Sequence, residues 1–78
     1  MQLEIISPEQ TIYSGEVSLV QLPGIDGSFE ILNDHAPLIS VLGPGKVKIQ
    51  DAQNQLQYFN IKGGVVEVLQ NKVLVLAE

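Results

Sequence analysis

Apolar residues occur along this chain in short runs, and the clearest of them alternate with polar neighbours at a spacing of two, the period of a β-strand lying on a core. Residues 3–6 form the first run, which stops at Ser7-Pro8, where proline removes a backbone donor and restrains the residue before it. A turn through Glu9-Gln10 follows. In residues 11–22 the apolar set Ile12, Tyr13, Val17, Leu19, Val20 and Leu22 changes face between Leu19 and Val20, and Ser14-Gly15 can form a bend or bulge. That stretch reads as one long kinked strand or two short ones. Pro23-Gly24 and Asp26-Gly27 predict a hairpin, with residues 28–32 returning as a strand. Asn33-Asp34-His35-Ala36-Pro37 breaks the periodicity and predicts a loop. Beyond it, residues 38–42 and 46–50 are strands about a Gly43-Pro44-Gly45 turn, the second with Val47 and Ile49 inward and Lys46 and Lys48 outward. Residues 56–61, 65–69 and 73–76 complete the pattern, separated from what precedes them by the polar loop Asp51-Ala52-Gln53-Asn54-Gln55, by Lys62-Gly63-Gly64 and by Gln70-Asn71.

No stretch carries an apolar stripe at spacings of three and four between helix caps. The predicted fold class is therefore all-β: an antiparallel two-sheet β-sandwich, or flattened barrel, of about 8 to 10 short strands with little or no helix. Nine Val and eight Ile agree with it. At 78 residues, 45% apolar and 17% charged, the composition excludes disorder and the length excludes a second core, so residues 1–78 are one domain. Residues 65–69 and 73–76 are apolar on both faces, more than so small a chain can bury. One outer face wants a partner.

Four Lys and no Arg against nine acids give a net charge of −5, without the basic field or guanidinium forks that nucleic acid demands. The same acidity disfavours adsorption to anionic lipid, and there is no apolar window of the roughly 20 residues a bilayer-spanning helix needs. Any membrane association is expected to be indirect. The N-terminal residues carry no secretory or organellar address, so a cytoplasmic bacterial setting is expected. Without cysteine there is no disulfide, thiolate nucleophile or thiolate-bound metal.

Candidate chemistry is sparse. His35 is the only histidine, and neither Glu30 nor Asp34 has the spacing of a known metal motif with it. A small enzyme using His35 with one of those acids is the weakest of three readings, because nothing beside the histidine serves as a nucleophile. Gly43-Pro44-Gly45-Lys46 fails as a phosphate loop, with Val47 where Ser or Thr must hold Mg²⁺ and a strand where a helix must begin. No serine stands in a nucleophile elbow. The expectation is a binding or structural domain with no catalytic residue, no cofactor, no metal and no small-molecule substrate.

The run Gly24-Ile25-Asp26-Gly27-Ser28-Phe29-Glu30-Ile31-Leu32-Asn33-Asp34-His35-Ala36-Pro37-Leu38 resembles the signature of the ATP synthase epsilon-subunit family, called delta in mitochondria. The resemblance is colinear across essentially the whole chain: Ser7-Pro8-Glu9, then Tyr13-Ser14-Gly15-Glu16-Val17, then Gly45, Val47 and Ile49 at alternate positions, then Gly63-Gly64-Val65-Val66-Glu67-Val68, then the ending with Asn71, Val73 and Val75-Leu76-Ala77-Glu78. Two places depart from the family pattern, which usually has Gly at Glu30 and Pro-Gly at Asn33-Asp34. Family members commonly continue into two C-terminal helices, whereas the resemblance here covers the β-sandwich alone, as in a naturally short form or a truncated one, and the helices' functions are not assigned to these residues.

What it implies for function is a non-catalytic subunit of the central stalk that grips the gamma subunit, touches the c-ring loops and turns with them, on the cytoplasmic face of the bacterial inner membrane. The c-ring interface it implies comprises Asp26, Gly27, Ser28 and Phe29; the gamma interface comprises Ser7, His35 and Ser40. The alternative is a free-standing β-sandwich protein-binding module of another assembly.

Overall fold

The computed structural model describes Met1–Glu78, and strands account for most of it: β1 (Gln2–Ile6), β2 (Thr11–Gly24), β3 (Gly27–Leu32), β4 (Leu38–Leu42), β5 (Gly45–Asp51), β6 (Leu56–Ile61), β7 (Gly64–Leu69) and β8 (Lys72–Ala77). There is no helix. Each turn is closed by the residues that favour it. Ser7 and Gln10 bond to each other across the Pro8 turn, and Asn54 and Asn71 take the left-handed conformation in the β5–β6 and β7–β8 turns. In the loop after β3, Asp34 adopts φ +63°, the conformation a glycine would otherwise supply.

The long strand β2 belongs to both layers. Its residues 11–16 pair with β1, in a first sheet ordered β4-β7-β8-β1-β2; its residues 17–24 pair with β3 and β5, in a second sheet ordered β3-β2-β5-β6. The corner between the layers is a bulge at Ser18, where the register against β5 slips between Val17 and Leu19. An extra residue there turns the strand and lets Val17 and Val20, an odd number apart, both point into the core. The sequence placed the face change at Leu19–Val20 and offered Ser14-Gly15 as the bend. Ser14 and Gly15 instead run regularly opposite Glu4 and Leu3. At the far corner Gly24 pairs with Leu42, so the layers meet again at β4.

One ladder departs from the antiparallel expectation: β1 and β8 run parallel, Gln2 opposite Lys72 through Ile6 opposite Leu76. The first and last strands thus lie side by side, which no turn signal specifies. Between the layers, Leu3, Ile5, Val66 and Val75 of the first sheet face Val20, Leu22, Ile31, Val47 and Ile49 of the second, all wholly buried. Burying side chains of this size contributes about 1.5–3 kcal/mol each, and Tyr13 and Phe59 seal one side with rings 5.5 Å apart.

Candidate functional site

With alternate positions of each strand consumed by the core, the other set forms the two outer faces. On the first sheet the register places Val41, Val65, Leu76 and Ile6 in one row and Ile39, Glu67, Leu74 and Glu4 in the next. Ile39 is 73% exposed, and Val41, Leu69 and Leu76 are each half exposed or more. Ile25 extends the surface from the β2–β3 turn, its N–H donating to Val41 O at 3.3 Å. A shallow groove of about 450 Å³ runs along Pro37, Leu38, Ile39, Glu67, Val68 and Leu69. Contiguous apolar surface on this scale marks a docking face.

The residues named from the sequence are distributed about this face. Ser7 is half-buried in the turn after β1, at the end of the sheet where Ile6 meets Leu76. His35 is exposed at the opposite end, in the β3–β4 loop that Asp34 N–H ties to Asn71 Oδ1 at 2.8 Å. Its Nδ1 lies 2.7 Å from Ala36 O, a carbonyl that can only accept, so the ring proton on that side is used within the loop. Ser40 sits midway along β4 but on its inner side, half-buried between Leu38 and Leu42, and it is Ile39 and Val41 that face outward. The outward pair went unnamed in the sequence reading, although the absence of any polar residue at 38, 39, 41 and 42 was the available signal.

Asp26, Gly27 and Ser28 are exposed at the tip of the β2–β3 hairpin, closed by the pair Gly24 and Gly27. Phe29 is half-buried instead: its ring packs on the core and so closely over Gly24 that a Cβ there would come within 2.8 Å of Cε1. The phenyl ring braces the hairpin while the tip stays free. Glu30 does not converge with His35, since it lies on the second sheet opposite Gln21. Nowhere do three His, Asp or Glu side chains come together as metal ligands.

The most ordered polar cluster belongs to folding. Asp51, only 7% exposed, accepts from the N–H groups of Gln53 and Gln55 and from Gln57 Nε2, each at 2.9 Å. The Gln55 N–H, then the Gln57 amide, hold this carboxyl below the usual carboxylate range. Burial, with the Asp51 charge second, pushes the Tyr13 phenol upward.

The family model for the β-sandwich domain of the ATP synthase delta/epsilon chain matches residues 1–78. The chain belongs to that family. An ATP synthase epsilon chain of Chlorobium limicola is 42% identical over 77 residues, covering 99% of this chain and 88% of its own length. One of Alkalilimnicola ehrlichii is 40% identical over the full 78 residues, which span 56% of that relative. Among solved structures, a chain of the Euglena gracilis mitochondrial ATP synthase superposes with a TM-score of 0.87 at 18% identity, over 96% of this chain and 48% of its own. A chain of the Tetrahymena thermophila central stalk and c-ring gives 0.80 at 24% identity, over 99% and 62%. These two bear out the fold, and the sandwich expected from hydrophobic periodicity is the family's architecture.

Proposed function

We propose that the chain is a non-catalytic rotor subunit of a proton-translocating ATP synthase, standing in the central stalk between gamma and the c-ring and turning with them to couple ion flow to ATP synthesis. The observation that carries this reading is the apolar outer face of β4, β7, β8 and β1, which a folded domain of this size leaves uncovered in a family whose members are subunits of that assembly. Gamma covers that face, with Ser7 and His35 at its two ends and Ser40 beneath it. The c-ring loops meet the hairpin tip at Asp26, Gly27 and Ser28, with Phe29 holding the tip in place. The subunit is then peripheral to the cytoplasmic face of the bacterial inner membrane through the complex.

The experiment is a pull-down of the gamma subunit encoded with this chain, followed by cross-linking from Ser28→Cys to the c-ring in reconstituted complex. Recovery of gamma and a tip-to-ring cross-link are the expected results. A chain that neither binds gamma nor co-purifies with the catalytic head of the enzyme overturns the reading in favour of a binding module of another assembly.

A further inference from the structure

Glu67 stands in the middle of the apolar outer face. Its cross-strand neighbours are Ile39 on β4 and Leu74 on β8, and its neighbours along the same side of β7 are Val65 and Leu69. The side chain is exposed and lines two grooves, of about 310 and 450 Å³, on either side of β7. It forms no ion pair, the molecule's single salt bridge being that of the Met1 ammonium with Glu16 at 2.9 Å. The nearest other charges on this face are Glu4, beyond Leu74, and Lys72, opposite Leu69; both line the 310 Å³ groove with Glu67 and neither pairs with it.

A carboxylate encircled by four apolar side chains is stable while water reaches it. Any partner that covers those four must also strip the carboxylate of water, which is unfavourable unless the partner supplies a compensating charge. An apolar partner surface alone would be rejected by this face, and an acidic one more strongly. We infer that the partner surface seated on β4, β7 and β8 places a lysine or arginine side chain over Glu67, so that this residue selects and registers the partner within an otherwise apolar contact. The inference rests on the reading of this face as the gamma-binding surface and adds the chemistry that gamma must present there.

Titration calorimetry of the chain with its cognate gamma subunit, at about 50 and 500 mM NaCl, tests it. Glu67→Gln keeps the size and fold of the exposed side chain, and is expected to weaken binding at least tenfold at low salt and to flatten the salt dependence. Val41→Asp, on the same face, is expected to weaken binding at least thirtyfold at both salts. Lys72→Gln is expected to change affinity less than threefold. If Glu67→Gln binds gamma as tightly as the parent while Val41→Asp does not, the face is right and the cationic contact is wrong. If Lys72→Gln reproduces the Glu67→Gln loss, the compensating charge comes from within the chain and the inference falls. If the parent chain does not bind gamma, or Val41→Asp binds unimpaired, the docking reading itself fails and the inference with it.

Discussion

The two sheets share one core and present unlike outer faces. On the first sheet, Val41, Val65, Leu76 and Ile6 follow one another across four strands with no polar residue between them. On the second, one outward row reads Glu30, Gln21, Lys48, Tyr58, the next reads Leu32, Leu19, Gln50, Leu56, and the outward pairs Ser28–Pro23 and Lys46–Asn60 lie on the other side of the first row. Exposed apolar residues occur there too, but Leu32 and its neighbour Leu19 are parted from Leu56 by Gln50, and Tyr58 adjoins Lys48. A scattered apolar residue on a folded surface is ordinary, whereas a continuous row is a surface awaiting cover. Both inner faces build the common core, so the contrast comes from the alternate, outward positions. Strands β7 and β8 fill those positions with Val65, Leu69, Leu74 and Leu76 beside Glu67 and Lys72, where β5 fills them with Lys46, Lys48 and Gln50.

The largest effect expected on this contrast comes from the backbone that carries the apolar rows. Gly64 opens β7 at φ +149°, and a Cβ there would collide with Leu76 O, so the two strands must separate to admit one. Gly64→Ala is expected to cost about 3 kcal/mol in urea unfolding, from backbone strain and the forced displacement. Gly27→Ala at the hairpin tip, with φ +128° and nothing within 4 Å, carries the backbone strain alone and is expected to cost about 1 kcal/mol. Equal losses at the two sites would show that the close approach of β7 and β8 is not what fixes the face.

The outer faces themselves separate under matched substitutions. Ile39→Asp on the first is expected to weaken gamma binding by about 2 kcal/mol, as truncation and charge burial at an interface centre do. Tyr58→Asp on the second should leave affinity for gamma within about twofold, because gamma does not meet that face in this reading. Reversal of the two in a binding titration would exchange the roles assigned to the sheets.

Asp51 ties the stability of the second sheet to pH. Its folded pKa is depressed, so the unfolded chain takes up the proton first as pH falls. The stabilisation is complete above the ordinary aspartate pKa of about 4 and is lost as pH falls through the lower folded value. Asp51→Asn should therefore have a lower urea midpoint than the parent at pH 6, and the gap should close in strong acid. A gap that stays constant with pH would mean that the carboxylate's charge is not what the β5–β6 hairpin uses.

The smallest effect is expected at His35. Exposed, and bonded only to its own loop, it is not a buried post, so His35→Ala should change unfolding free energy by no more than about 0.5 kcal/mol. A larger loss would show that the loop's attachment to the β7–β8 turn depends on the imidazole.

The local features of this molecule could be read from the chain. Each strand has a period of two and each turn has residues suited to it, and both are short-range properties: Asp26-Gly27, Gly43-Pro44-Gly45 and Gln70-Asn71 lie where the chain reverses. The excess of apolar residues in β7 and β8 likewise announced an uncovered face. What the sequence alone could not determine depends on which strands pair and in what register, and these are contacts between residues far apart in the chain. The parallel pairing of β1 with β8 is of this kind, because no turn joins those strands and only the shared core of Leu3, Ile5, Val73 and Val75 brings them together. The Ser18 bulge is another, decided by the need of β2 to serve two layers at once. The same long-range pairing put Ser7 and His35 at opposite ends of one face and turned Ser40 inward. It also enclosed Glu67 among Ile39, Val65, Leu69 and Leu74, which belong to three different strands and become neighbours only when the sheet forms.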